Sequence, residues 1–158
     1  YGDHRDLHLR LRRPRERCIR DMTQLANPLI NIAKTYTETS GEKIADHGVR
    51  GKVLDHTMRE RAFKLTAQRV SQENRSGGTP GAATSIFKLV GANLEREARE
   101  LKAEFMGSNG IGWEGDGFSS DELNSTRMWL NSRAVTIYGG TNEIQMNIIS
   151  KRVLGLPE

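Results

Sequence analysis

Residues Gly139-Gly140-Thr141-Asn142-Glu143 have the types and spacing to meet a ligand with backbone groups. Paired glycines let the chain turn sharply or take a positive φ without a Cβ penalty, and Thr141 is a good N-cap for a helix opening at Asn142. The amides of that first turn stand unpaired at the positive end of the helix dipole. An anionic or carbonyl-rich ligand is their natural complement. A second run, 107–117, carries five glycines in eleven residues, too many for a regular element and long for a passive connector. Other chemistry is poorly supported. His47 and His56 are nine apart on one expected helix and face differently, so they make no metal pair, and no other metal site is read. Cys18 has no histidine partner or pocket nearby. Trp113, Phe118 and Trp129 read first as packing around the glycine-rich loop, with a contact to a planar ring ligand as the lesser option.

The elements that must position these residues are helices. A first helix is expected over 14–36, with Ile19, Met22, Leu25, Leu29, Ile32 and Ala33 as its apolar stripe and Pro28 as a kink. A second, over 42–74, carries Leu54, Met58, Ala62, Leu65 and Arg69 on one face. After a loop at 76–81, a third helix over 82–106 buries Ile86, Leu89, Val90, Leu94, Leu101 and Phe105. Ser119 and Glu122 form a capping box that opens a fourth helix reaching 135. The last runs over 141–153 with Ile144, Ile148 and Ile149 inward. With no strand-like alternation of useful length, the class is all-α, an antiparallel four-helix-type bundle packed near 20°.

The chain has 158 residues and a formal charge of +4. Residues 1–20 alone hold seven arginines against three acids, a difference of four, which leaves 17 basic and 17 acidic residues in the other 138. The basic character therefore belongs to a poorly patterned N-terminal segment, 1–20, and the body, 21–158, does not read as a nucleic-acid binder. A single cysteine excludes an internal disulfide and suits a reducing cytoplasm. No apolar run approaches a membrane span, and the arginine-rich start lacks the apolar core of a signal peptide.

The run Ile137-Tyr-Gly-Gly-Thr-Asn-Glu-Ile-Gln-Met146 and its continuation to Pro157 resemble the C-terminal end of acyl-CoA dehydrogenases. The preceding Trp129 to Thr136, the Gly107-Ser108-Asn109-Gly110 turn and the Ser85 to Leu89 helix opening are similar to the same domain, so the resemblance covers about 25–157. It implies a helical bundle that packs against FAD in a homo- or hetero-oligomer. The enzymes concerned remove an α-proton and a β-hydride from an acyl-CoA thioester, leaving a trans-2-enoyl-CoA. Carried over by position, Thr141, Asn142 and Glu143 fall on the family's flavin-contacting triplet, and Gly140 on a glycine that approaches the acyl-CoA. A second FAD-contacting stretch falls on Glu104 to Ser108, including Gly107, with Glu104 in place of the family's glutamine. A carboxylate cannot donate there and sits badly beside a pyrophosphate. If both glycine-rich runs address one dinucleotide, 107–118 and 137–143 must lie together at one end of the bundle.

No catalytic residue is identified. Many members place the base glutamate where this chain has Gly139. Others carry it on the first helix, ahead of an Arg-x-x-Phe-Gly segment that helps hold the partner subunit's FAD, and neither feature is visible in 1–40. Glu16, Glu38 and Glu42 read as solvated surface charge. The resemblance therefore implies the C-terminal domain of an FAD-dependent acyl-CoA dehydrogenase, as a fragment or shortened subunit, which alone binds FAD poorly and turns over nothing. The alternative is a non-catalytic helical oligomerisation module whose basic arm binds an acidic partner.

Overall fold

A computed structural model of the chain describes residues 29–75 and 83–157. The basic segment 1–20, Cys18, Pro28, residues 14–28 of the expected opening helix and the loop at 76–81 lie outside the described residues. Five α-helices follow in order: α1 (Leu29–Tyr36), α2 (His47–Arg75), α3 (Ala83–Met106), α4 (Ser120–Asn131) and α5 (Asn142–Ile148). A two-stranded hairpin, β1 (Thr39–Ser40) and β2 (Lys43–Ile44), joins α1 to α2. Short 3₁₀ turns at Gly107–Ile111 and Ser132–Thr136 follow α3 and α4, and α5 runs on into a π turn, Ile149–Val153.

The fold is all-α, with α3 as its axis. Small residues let neighbours approach α3 closely: Ala92 is fully buried, and Ala98, Leu101 and Phe105 are nearly so. One cluster joins Ala33 of α1, Ile44 of β2, Val53 of α2 and Leu101 and Phe105 of α3. A second joins Phe63 to Leu94, with Phe87 set edge-on to Phe63 at 5.8 Å and 89°. Ion pairs stitch the α2–α3 seam. Lys52 meets Glu104, Arg59 meets Glu97, and the buried His56 places Nδ1 3.3 Å from Glu97 Oε2. The sequence order of these partners makes α2 and α3 antiparallel.

Several expectations are corrected. The second helix begins at His47, because Gly41-Glu42 turns the hairpin and Asp46 then caps α2 by accepting the Val49 amide at 2.9 Å. Its inward positions are Val53, His56, Phe63 and Val70, whereas Leu54, Met58 and Leu65 of the expected face stand exposed, Met58 by 63 %. A histidine paired with Glu97 can face inward, so a search for apolar residues alone misplaces the stripe. Likewise Ile86 is 38 % exposed on α3, α5 buries no residue, and Ile144 is 51 % exposed.

Phe105→Ala should therefore cost about 3–5 kcal/mol in denaturant unfolding, and Leu54→Ala less than about 1. Similar losses at the two positions would contradict this placement of the core.

Candidate functional site

The head of α5 is built from its own residues upward. Gly139 and Gly140 take φ values of 71° and 104°, which side-chain-bearing residues rarely adopt. The chain then turns extended at Thr141, whose hydroxyl accepts the Ile144 amide at 3.3 Å, the expected N-cap. Glu143 bends back to its own amide and to the Thr141 hydroxyl, contacts that hold its carboxyl below the ordinary glutamate range. Negative charge is thus already supplied to this helix end. Asn142 donates Nδ2 to Asn93 Oδ1 of α3 at 3.0 Å, while its own Oδ1 is buried without a partner among the described residues. Behind the glycines, Lys88 of α3 donates to the Val135 carbonyl at 2.6 Å and lies 5.6 Å from the Tyr138 ring centre. Asn93 also lines a largely apolar groove of about 400 Å³ between α2 and α3, walled by Phe63, Phe87, Val90 and Leu94.

The glycine-rich run after α3 is held by a different device. Ser119 and Glu122 form both halves of the capping box of α4. The same Glu122 carboxylate accepts from Asn109 Nδ2 at 2.9 Å and from the Tyr36 hydroxyl at 3.1 Å, tying the turn and α1 to the head of α4. Backbone and hydroxyl donation from Ser119 leads the causes that pull its pKa below the usual glutamate value, while burial and Glu122 push the Tyr36 phenol up. Gly110 accounts for its own identity: a Cβ there would meet the Ala103 carbonyl oxygen at 2.3 Å. Thr126 secures the turn by donating to the Gly110 carbonyl at 3.0 Å.

The expected cofactor residues fall into two groups. Thr141, Asn142 and Glu143 sit beside Asn93, whereas Glu104, Gly107 and Ser108 sit at the far end of α3, roughly 20 Å away at 1.5 Å per residue. The expectation that 107–118 and 137–143 lie together is overturned, because α4 carries the chain back along α3 before the Gly139-Gly140 turn. Glu104 is half-exposed and paired with Lys52, which gives its carboxylate a cation of its own. Gly140 has a local reason to be glycine, its positive φ and the Gln145 amide lying against it. A Cβ at Gly139 would stand 3.5 Å from Lys88 Cε. Glu38 and Glu42 are exposed on the hairpin, and Glu16 lies outside the described residues. His47 is exposed at the start of α2, and His56 is buried in the α2–α3 seam. Trp113 is more exposed than packing required: it stands 55 % exposed, with Arg127 5.5 Å from its ring centre and donating to its carbonyl. Among the described residues no helix is long and apolar enough to cross a membrane.

Sequence reasoning missed Asn93, Lys88 and Gln145. A lone asparagine between Val90 and Leu94, and a glutamine four residues after the cap, were the available signals.

Residues 14–154 match the model of the acyl-CoA dehydrogenase C-terminal domain. The chain belongs to the acyl-CoA dehydrogenase family. Acyl-CoA dehydrogenase IpdE1 of Mycolicibacterium smegmatis is 49 % identical over 73 residues, 46 % of this chain and 18 % of that protein. Acyl-CoA dehydrogenase FadE34 of Mycobacterium tuberculosis is 27 % identical over 135 residues, 85 % of this chain and 17 % of that one. The chain thus spans less than a fifth of these curated relatives. Among solved structures, the ChsE4-ChsE5 complex from Mycobacterium tuberculosis aligns with a TM-score of 0.65 at 25 % identity, over 82 % of this chain and 35 % of the other. An FAD complex of PigA shares the fold, with a TM-score of 0.61 at 23 % identity, over 81 % of this chain and 32 % of that one. The acyl-CoA dehydrogenase helical domain thus accounts for nearly every described element here.

Glu122 yields a pH prediction. A carboxyl with a depressed pKa in the folded state stabilises above its ordinary range and loses that contribution as pH falls through the depressed value. Glu122→Gln should lower the thermal midpoint at neutral pH, and its gap from the native chain should close under acid conditions. A gap unchanged from pH 7 to pH 3 would contradict the charged role, as melting followed by circular dichroism can decide.

Proposed function

We propose that this bundle is the flavin-facing C-terminal part of an FAD-dependent acyl-CoA dehydrogenase that converts an acyl-CoA thioester to the trans-2-enoyl-CoA. The observation carrying the reading is the head of α5. Both glycines stand at positive φ, Thr141 caps the helix, and the buried Asn142 Oδ1 lacks a partner among the described residues. Such a head fits a neutral ring rich in carbonyl and N–H groups better than a phosphate, since Glu143 already brings a carboxylate to it. A flavin held there would supply the acceptor for the hydride leaving the β-carbon. This chain's own share is to hold and orient: Thr141 and Asn142 fix the helix head, and Asn93 anchors it to α3.

Removal of the α-proton needs a base within hydrogen-bond reach of the α-carbon. A Cβ at Gly139 would meet Lys88 rather than a carboxylate, so this position supplies no base. Ile137, Tyr138, Ile144 and Met146 lie beside the head in sequence and stand exposed, as expected of half a site that further domains or subunits complete. The cytoplasm suits a flavoprotein subunit with a lone thiol.

The second reading, a helical oligomerisation module without chemistry, is favoured by Gly139 and by the exposed row Leu54, Met58 and Leu65 along α2. In either reading that row joins copies or partner subunits. Met58→Glu with Leu65→Glu should shift a self-associated chain to monomer in sedimentation velocity while leaving the melting curve close to native. An unchanged sedimentation coefficient would remove α2 as the contact.

Thr141→Ala separates the two readings. Losing an N-cap costs a helix about 1 kcal/mol, which a packed bundle absorbs, whereas loss of a ligand contact acts directly on binding. Flavin retention in the presence of the missing domains should fall more than the denaturant midpoint does. Equal losses would leave Thr141 as a cap and nothing more.

A further inference from the structure

Asn109 and Gly110 each have a reason in the fold to be what they are. Gly110 is buried against the Ala103 backbone, where a Cβ would meet the carbonyl oxygen at 2.3 Å. Asn109 supplies the amide that Glu122 Oε1 accepts at 2.9 Å, on the same oxygen that takes the Tyr36 hydroxyl at 3.1 Å. The chain has nine asparagines, and Asn109 alone is followed by glycine. That pairing has a chemical consequence. Asparagine is thermolabile because the backbone nitrogen of the next residue can attack its side-chain carbonyl carbon, and a following glycine leaves that nitrogen unshielded.

The reaction balances with water alone. Gly110 N bonds to Asn109 Cγ, the Cγ–Nδ2 bond breaks, and ammonia leaves carrying the Gly110 amide proton. Water then opens the five-membered imide at one of its two carbonyls, giving aspartate or isoaspartate. Asn109 is exposed, so water and hydroxide reach it. Two features hold it back: the 3₁₀ turn Gly107–Ile111, which fixes the backbone on both sides of Asn109, and the Nδ2 contact to Glu122. Ring closure needs Asn109 to leave 3₁₀ dihedrals, so reaction in the folded chain waits on local opening of the turn. We propose that Asn109-Gly110 is a self-modification site, a spontaneous deamidation centre gated by Glu122, whose product releases the turn and α1 from the head of α4. The new carboxylate at 109 cannot donate, and it stands as a like charge against the Glu122 oxygen that also holds Tyr36.

The test follows the full 158-residue chain by peptide mass spectrometry at mildly alkaline pH, folded and in concentrated urea, for the gain of about one dalton that replaces an amide by an acid. In the folded chain residue 109 should convert before any other asparagine, and more slowly than in urea. Glu122→Ala, its fold checked by circular dichroism, should speed conversion of the folded chain about tenfold, the effect of losing one hydrogen bond to a charged acceptor. Asn109→Asp supplies the product directly. It should melt below the native chain at neutral pH, with the gap narrowing as acid protonates the facing carboxylates. Another asparagine converting first, a folded rate equal to that in urea, or a folded rate indifferent to Glu122→Ala would overturn the gated site. A native melting curve for Asn109→Asp would overturn the release of the turn, whether or not the variant at 122 folds.

Discussion

The burial of α3 on several sides is the constraint from which the rest of the domain follows. A helix covered by α1, α2 and α4 must present small or apolar residues on its covered sides, as Ala92, Ala98, Leu94, Leu101 and Phe105 do. Close packing then fixes the neighbours. Gly110 can approach the Ala103 backbone because it has no Cβ, Lys88 reaches across to the segment between α4 and α5, and Asn93 meets the first residue of α5. The candidate site hangs on the N-terminal half of this helix and the glycine-rich turn on its C-terminal end.

That separation changes what each glycine-rich segment is for. The turn after α3 is explained from within the fold: Glu122 gathers Asn109, Tyr36 and the cap of α4 onto one carboxylate, and Thr126 fastens Gly110. The Gly139-Gly140 turn is less self-sufficient. The Gln145 carboxamide lies against it, Asn142 Oδ1 is buried without a hydrogen-bond partner among the described residues, and exposed apolar side chains flank it. Polar groups left unpaired beside exposed apolar surface mark the place where something else completes the structure.

Where local rules governed, the sequence was legible. Caps at Ser119 and Thr141 were readable because a hydroxyl and the amide three residues on make a contact independent of tertiary context. The long helices, the all-α class and the family signature were readable for similar reasons. Orientation was less so. His56 faces inward only because Glu97 on another helix receives it, and Leu54 faces outward although apolar, so the buried face of α2 depended on a partner not visible from its own periodicity. The hairpin at 39–44 escaped because two-residue strands carry no alternation to read. In the site, Thr141, Asn142 and Glu143 came from the signature, whereas Asn93 and Gln145 gain meaning only once α3 and α5 are set side by side.

The central claim is that the head of α5, rather than the turn after α3, is where the chain meets its cofactor. Amide and side-chain nitrogen resonances followed by NMR during addition of FAD to the 158-residue chain test it most directly. Shifts concentrated at 139–145 and at the Asn93 side-chain amide, with 107–111 unmoved, are what the account predicts. Shifts concentrated at 107–111, with 139–145 unmoved, would contradict it.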